Sequence, residues 1–304
     1  MEIRQLITFR KLAQTLSFSR TAVSLNYAQS TVSAQIKALE KELNVSLFDR
    51  LGKRVVLTAA GQRLLEYAEK MLDLEHEART LLSDQHTLVG SLTISAPDTL
   101  CTYRLPPVLH QFREEFPQIQ LTFHQKPSTG LLNHIREGMI DVAFVMEEPF
   151  QAPDLIVESL VTERLLFVAR PDHPLADAPH ITFNELQHEP MVLTESTCGY
   201  RLLFEKVIST GGIRLNQPMA FHSVEAIKQC VMAGIGISLL PAVAVATEIE
   251  QGRLIALPWH GPNLQVVTQL IRHKDKWLSP ALRTFLTVLK EIFRDQTESG
   301  SSYQ

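Results

Sequence analysis

The chain has 304 residues, 45% hydrophobic and 20% charged, an ordinary globular composition with room for two or three domains. No apolar run approaches the roughly 20 residues that cross a bilayer, and the amphipathic start MEIRQLITFRKLAQ lacks the unbroken apolar stretch of a secretory signal. A cytoplasmic protein with no membrane partner is expected. The net charge of -4 is unevenly spread. Residues 1–60 hold nine basic against four acidic side chains, or +5, so the remaining 244 residues carry -9. A basic head on an acidic body is the footprint of a small nucleic-acid-binding domain joined to something else, although a plain basic surface patch has the same charge.

In chain order, Leu6, Phe9, Ala13 and Leu16 give a first helix with one apolar face. Ser17 suits the N-cap of a second helix beginning at Phe18. Residues 18–42 read as two short helices joined by a tight turn at Asn26, a residue that tolerates left-handed backbone. Val32, Ile36, Leu39 and Leu43 form the inward stripe of the second of these, and Gln29, Ser30, Ser33 and Lys37 fall on the other side. Small hydrogen-bonding side chains at a helix start suit base edges and phosphates in a major groove. An ordinary helical hairpin with a solvated face fits the same spacing.

Residues 47–58 form a β-prone wing, with a turn at Gly52-Lys53 and a strand over 54–57. Arg50, Lys53 and Arg54 then reach the phosphate backbone, or belong to a solvated basic loop. Thr58 caps a long helix running to about Gln85, in which Leu64, Ala68, Met71, Ala78 and Leu82 keep a four-three rhythm interrupted by Glu75. Roughly 28 helical residues reach ~42 Å. Such a helix either pairs with a second copy or packs on its own domain.

These features resemble the winged helix-turn-helix of the LysR-type transcriptional regulators. The matching residues are Phe9 and Ala13, Ser17-Phe18-Ser19-Arg20-Thr21-Ala22, Leu25, Gln29-Ser30, Val32-Ser33, Gln35-Ile36, Leu39-Glu40, Leu47-Phe48-Asp49-Arg50, and Leu57-Thr58 with Gly61, in order over about 60 residues. Ala28 stands where many members have a capping Ser or Thr, and Ala34 lacks the basic side chain often present there. The resemblance implies a multi-domain α/β protein. Its parts are a winged helix-turn-helix at 1–58, a linker and dimerisation helix at 59–88, and an effector-binding domain at 89–304 with the two-lobed fold of periplasmic binding proteins. The implied partners are double-stranded DNA at a partly palindromic site, a small-molecule effector, a second copy in a dimer or tetramer, and RNA polymerase. On this reading Gln29, Ser30, Thr31, Ser33 and Lys37 read bases and nearby phosphates, while Arg50, Lys53 and Arg54 hold the backbone.

From Val89 the pattern changes. Strands at 92–96, 119–125 and 140–145 alternate with helices at 105–116 and 131–136, the mark of an open, mainly parallel sheet. A second unit starts near Leu165, with strands at 165–169 and 191–193, helices at 200–209 and 224–232, and a glycine-containing strand at 233–241 leading into another helix. A strand at 264–271 and a helix at 280–293 follow, and the polar tail from Asp295 reads as disordered. By the same resemblance the first lobe is 89–163 with 267–294 and the second is 164–266. The chain crosses near Glu163 and returns near Val266, and two short crossovers form a hinge.

Four strand-to-helix junctions carry hydroxyls: Ser95 with Asp98-Thr99, Ser128-Thr129, Thr194 with Ser196 and Thr197, and Ser223. Helix N-termini attract carboxylates and phosphates, though each hydroxyl alone also serves as a simple cap. These positions resemble those where family members hold small-molecule inducers, so a small organic anion is expected there, with Arg201 as a charged contact or a surface residue. Cys198 precedes a helix, where a thiol can have a lowered pKa. Peroxide-sensing relatives pair such a cysteine with a second a few residues on, whereas the next one here is Cys230. The scattered histidines and cysteines give no metal spacing, and no phosphate loop, GxSxG elbow or paired catalytic motif is present. No cofactor and no enzymatic activity are expected. The rivals are a solute-binding protein with no DNA partner, a thiol-based redox-sensing regulator using Cys198 and, more distantly, an enzyme on a two-lobed fold.

Overall fold

A computed structural model describes residues 1–51, 54–81, 88–125, 130–210 and 218–299. The chain divides into two compact units, Met1–Gly90 and Ser91–Gln304.

The first unit holds α1 (Ile3–Thr15), α2 (Phe18–Leu25), α3 (Gln29–Leu43), the strands β1 (Phe48–Leu51) and β2 (Arg54–Leu57), and α4 (Ala59–Leu81). Leu6, Phe9 and Leu12 of α1 pack with Ile36 and Leu39 of α3, Leu47 and Phe48 at the wing, and Ala68 and Leu72 of α4. The turns follow from local chemistry. Ser17 accepts the Arg20 N–H at 3.4 Å and so caps α2. Asn26 ends α2 at φ 53°, the left-handed conformation Asn tolerates. Ala28 begins α3 with no side-chain cap. Thr58 accepts the Gly61 N–H at 3.0 Å at the start of α4. β1 and β2 pair antiparallel with Phe48 opposite Leu57 and Leu51 opposite Arg54. The expected turn at Gly52-Lys53 lies outside the described residues. Glu40 anchors the wing to α3 by accepting the N–H groups of Leu47 (2.8 Å) and Phe48 (3.3 Å).

The apolar rhythm of α4 divides into two faces, where the sequence suggested one seam. Leu64, Ala68 and Leu72 turn inward onto the domain core. Tyr67, Met71 and Leu74 are 58%, 36% and 51% exposed, and Ala78 is exposed below them. The cause is the 3.6-residue period: Leu64 and Ala68 sit on the side that α1 covers, while Met71 and Ala78 lie a partial turn away. Leu82 lies outside the described residues.

The second unit is two-lobed. Its elements are β3 (Gly90–Ala96), α5 (Asp98–Tyr103), α6 (Pro106–Glu115), β4 (Ile119–Gln125), α7 (Leu131–Arg136), β5 (Val142–Glu147), β6 (Leu155–Ala169), α8 (Phe183–Leu186), β7 (Val192–Thr194), α9 (Gly199–Thr210), β8 (Met219–Phe221), α10 (Val224–Met232), β9 (Ser238–Pro241), α11 (Ala242–Glu250), β10 (Ile255–Ala256), β11 (Gln265–His273) and α12 (Pro280–Ser299). The main sheet runs β10-β6-β11-β5-β3-β4, with β9 also on β6, and β7 pairs β8 separately. β3 and β5 are parallel, but β11 is antiparallel to both β5 and β6. The sheet is therefore mixed, where a mainly parallel one was expected.

The cause is β6, a 15-residue strand of which only 165–169 was legible. Its first part pairs β11, from Leu155 opposite His273 to Arg164 opposite Gln265. From Leu165 its partners become β9 and then β10. One strand thus serves both lobes. The strand expected at 233–241 is a turn at Gly234 (φ +79°) followed by a strand only from Ser238. The polar tail is helical as far as Ser299, because Gln296 exchanges hydrogen bonds with the Arg104 side chain (3.2 Å) and carbonyl (3.3 Å).

Candidate DNA-contact face and effector cleft

On α3, Gln29, Ser30, Thr31 and Lys37 are exposed and Ser33 is half-buried. They lie opposite the buried stripe of Val32, Ile36 and Leu39. Ser19 donates to Gln29 Oε1 at 3.1 Å, tying α2 to the first residue of α3. Arg20 is turned back onto the Thr15 carbonyl at 2.5 Å. Arg50 and Arg54 lie on the paired wing strands, with Arg50 opposite Val55. Lys53 falls outside the described residues, as do Ser128 and Thr129.

In the second unit a cleft of about 330 Å³ is lined by the starts of three helices. Asp98 and Thr99 come from α5, Thr197, Cys198, Gly199 and Tyr200 from α9, and Ser223 and Val224 from α10. Thr194, Glu195, Gln125 and His222 complete the polar wall and mouth, and Pro97 and Met146 add apolar surface. Three helix N-termini converging on one space concentrate partial positive charge there. The hydroxyls of Thr194 (6% exposed) and Tyr200 (2% exposed) are buried and make no hydrogen bond of standard geometry. Thr99, Thr194 and Cys198 lie close to the Tyr200 hydroxyl without aligning with it. Burial holds the Tyr200 hydroxyl far above its ordinary range, so it remains a donor.

The expected residues do not all gather here. Thr99, Thr194, Thr197 and Ser223 line the cleft. Ser95 is fully buried and spends its hydroxyl on the His124 carbonyl at 2.9 Å. Ser196 is exposed and does not line the cleft. Arg201 is 8% exposed and bonds Glu205 one turn along α9 at 2.7 Å, which leaves the lining residues without a guanidinium. Sequence reading passed over Tyr200, Gln125 and His222. Tyr200 had a signal of its own, since it is an aromatic directly after a Gly at a helix start. Gly199 has room only for hydrogen, because a Cβ there would lie 2.4 Å from the Met146 carbonyl oxygen.

Side chains bridge the lobes beside the cleft. Asp98 accepts from the Val224 N–H (3.0 Å) and from Gln125 (2.7 Å). Tyr103 of α5 donates to Glu225 at 2.5 Å, and the buried Lys228 bonds Tyr103 (3.2 Å), Glu225 (2.7 Å) and Glu248 (2.9 Å). Burial would raise the Glu225 carboxyl, but its bonds to Lys228 and Tyr103 outweigh burial and hold it below the usual range. Arg104 makes a two-pronged contact with Glu163 of β6 at 2.8 and 2.9 Å. The Cys198 thiol is raised by burial, the opposite of an activated thiolate. Among the described residues no cluster of three or more His, Cys, Asp or Glu could hold a metal ion, and no helix is long and apolar enough to cross a membrane.

A winged helix-turn-helix unit followed by a two-lobed body with a polar cleft defines the class as DNA-binding transcriptional regulators with an effector-binding domain. The family model of the bacterial regulatory helix-turn-helix proteins of the lysR family matches residues 3–62, and that of the LysR substrate binding domain matches residues 85–294. The chain belongs to the LysR family of transcriptional regulators. It is 43% identical over 296 residues, 97% of this chain and 100% of the relative, to the uncharacterised HTH-type transcriptional regulator YwqM of Bacillus subtilis (strain 168). Full-length OxyR of Pseudomonas aeruginosa shares its fold at TM-score 0.70 and 25% identity, covering 97% of this chain and 95% of that one. The regulatory domain of CcmR from Synechocystis PCC6803, solved in complex with 2-PG, matches at TM-score 0.61 and 25% identity over 68% of this chain and 98% of that one.

Proposed function

We propose that the exposed face of α3 reads DNA through Gln29, Ser30, Thr31, Ser33 and Lys37, with Arg50, Lys53 and Arg54 of the wing on flanking phosphates. A small carboxylate-bearing effector occupies the cleft between the lobes and controls that contact. The observation that carries the effector reading is the pair of buried, unpartnered hydroxyls of Thr194 and Tyr200 beside three converging helix N-termini. Thr99, Thr197 and Ser223 add hydrogen-bonding capacity at the same wall. Ser95 and Ser196 take no direct part, because the first is spent on the His124 carbonyl and the second does not line the cleft; Arg201 stands outside the lining, with Nε on Glu205 and a buried Nη1 without a partner.

Two copies pair through the exposed stripe Tyr67, Met71, Leu74 and Ala78 of α4, spaced four, three and four residues apart as a helix-helix seam requires. Pairs of such dimers give a tetramer, and RNA polymerase is the downstream partner. Leu74→Glu places charge in that seam and lowers the mass measured by light scattering; an unchanged mass refutes the seam.

The DNA reading is tested by mobility shift against the DNA upstream of the protein's own gene and its neighbours. Specific binding that weakens steeply with salt is expected. Binding no tighter than to random DNA at every salt concentration overturns it.

A further inference from the structure

We propose that the cleft is built for a zwitterion, an α-amino acid, rather than for a simple organic anion. This deepens the effector reading above and rests on the same cleft. The lining holds both hydroxyl donors and carboxylates. The most buried donors are the Thr194 and Tyr200 hydroxyls, each more than nine-tenths buried and without a hydrogen bond of standard geometry, next to the first turn of α9. Thr99, 3% exposed, lies beside Tyr200. These groups want a carboxylate, whose two oxygens accept several donors at once.

The lining also holds two carboxylates, Asp98 and Glu195, and neither Arg nor Lys. Glu195 meets His222 at 2.5 Å, but His222 is 84% exposed and carries charge only when protonated. No Arg or Lys stands among those lining residues to offset the two like charges that a purely anionic ligand would meet; Arg201, buried next to Tyr200, bonds Glu205 through Nε and keeps an unpartnered Nη1 outside the lining. An ammonium group attached next to the ligand's carboxylate removes that conflict by bonding Asp98 or Glu195. Pro97, Met146 and Val224 supply the apolar part of the wall, which faces the third substituent of the α-carbon. The volume of about 330 Å³ lies at the small end of the range for ligand pockets.

The test is calorimetric titration of the full-length protein with the common L-amino acids and, in parallel, the matched 2-hydroxy acids, which keep the carboxylate and side chain and lose the ammonium. At least one amino acid is expected to bind ten-fold or more tighter than its 2-hydroxy partner. Glu195→Gln weakens the amino acid without weakening the 2-hydroxy acid, and Thr194→Val weakens both. Glu195 is half-exposed and makes no bond between the lobes, so its variant reports on the ammonium contact alone. Equal binding of the two series, still sensitive to Thr194→Val, overturns the zwitterion and leaves the carboxylate cleft standing. Binding that ignores Thr194→Val, or no binding of either series, overturns both.

Discussion

The carboxylate of Asp98, the first residue of α5, accepts the backbone N–H of Val224, the first residue of α10, at 3.0 Å. Asp98 comes from one lobe and α10 from the other. Ser223 already caps α10 from within, accepting the Ala226 N–H at 3.4 Å. Asp98 therefore takes a second free amide of the same helix end and holds the lobes together through it. A ligand ammonium that bonds Asp98 draws on the same carboxylate that holds that helix end. A ligand shifts a conformational equilibrium only by its differential affinity for the two states. Drawing on a capping contact that itself spans the lobes supplies such a difference.

Loss of this contact separates the cap from its global effect. Asp98→Ala is expected to cost about 1 kcal/mol, the usual worth of a helix cap, and to raise the radius of gyration of the protein in X-ray scattering. Ser223→Ala removes a cap of similar worth within one lobe and leaves the radius unchanged. Equal scattering from both variants would remove Asp98 as a lobe-to-lobe clasp.

Lys228 is 3% exposed and sits between Glu225, Glu248 and Tyr103. Lys228→Ala strands the buried Glu248 carboxylate, and breaking a buried pair from one side costs roughly 3–5 kcal/mol. The double change Lys228→Met with Glu248→Leu recovers most of that loss, because an apolar replacement of the whole pair needs no desolvated charge. Urea unfolding of the two variants measures the difference. A single-variant loss under about 1 kcal/mol would show that the pair is solvated rather than buried.

Gly61 in the first turn of α4 answers to a contact, not to a turn. A Cβ there would stand 2.2 Å from the Leu47 carbonyl oxygen and 2.8 Å from a Leu57 methyl. The same carbonyl accepts the Thr58 N–H at 3.0 Å, so it cannot move freely. Gly61→Ala, favourable for an isolated helix, is expected to destabilise the N-terminal unit by roughly 1–3 kcal/mol through overpacking. Thermal unfolding followed by circular dichroism decides the sign; a stabilised variant would contradict the close approach.

The N-terminal unit was legible because its signals are local. The Ser17 cap, the left-handed Asn26 and the Val32-Ile36-Leu39 stripe each depend on neighbours within a turn or two. The body was less so where partners are distant. No strand is legible at 155–164, because β6 is half-exposed there and its partner, β11, lies some hundred residues on. The cleft hydroxyls Thr99, Thr194, Thr197 and Ser223 were found from their positions before helices. Ser95 was included for the same reason, and nothing local distinguishes a hydroxyl facing a cleft from one spent on the carbonyl of His124; Arg201 was included for its charge. Lys228 did carry a signal, a lone charge on the apolar face with Val224, Ile227 and Val231. Its meaning came only from Glu248, placed beside it by α11.

Lys37 lies two turns into α3, exposed on the same side as Ser30 and two turns beyond it. If it meets a phosphate, Lys37→Ala lowers affinity for specific and random DNA about equally and reduces the slope of log K against log salt by about 1. Ser30→Ala and Ser33→Ala behave differently: they lower affinity for the specific site more than for random DNA and leave the slope unchanged, since hydroxyls release no counterions. Titrations of each variant at three salt concentrations, on specific and scrambled duplexes, resolve the two kinds of contact. A slope unchanged by Lys37→Ala would move the phosphate contacts to the wing, and a specificity ratio unchanged by both serine variants would take base reading away from this face of α3.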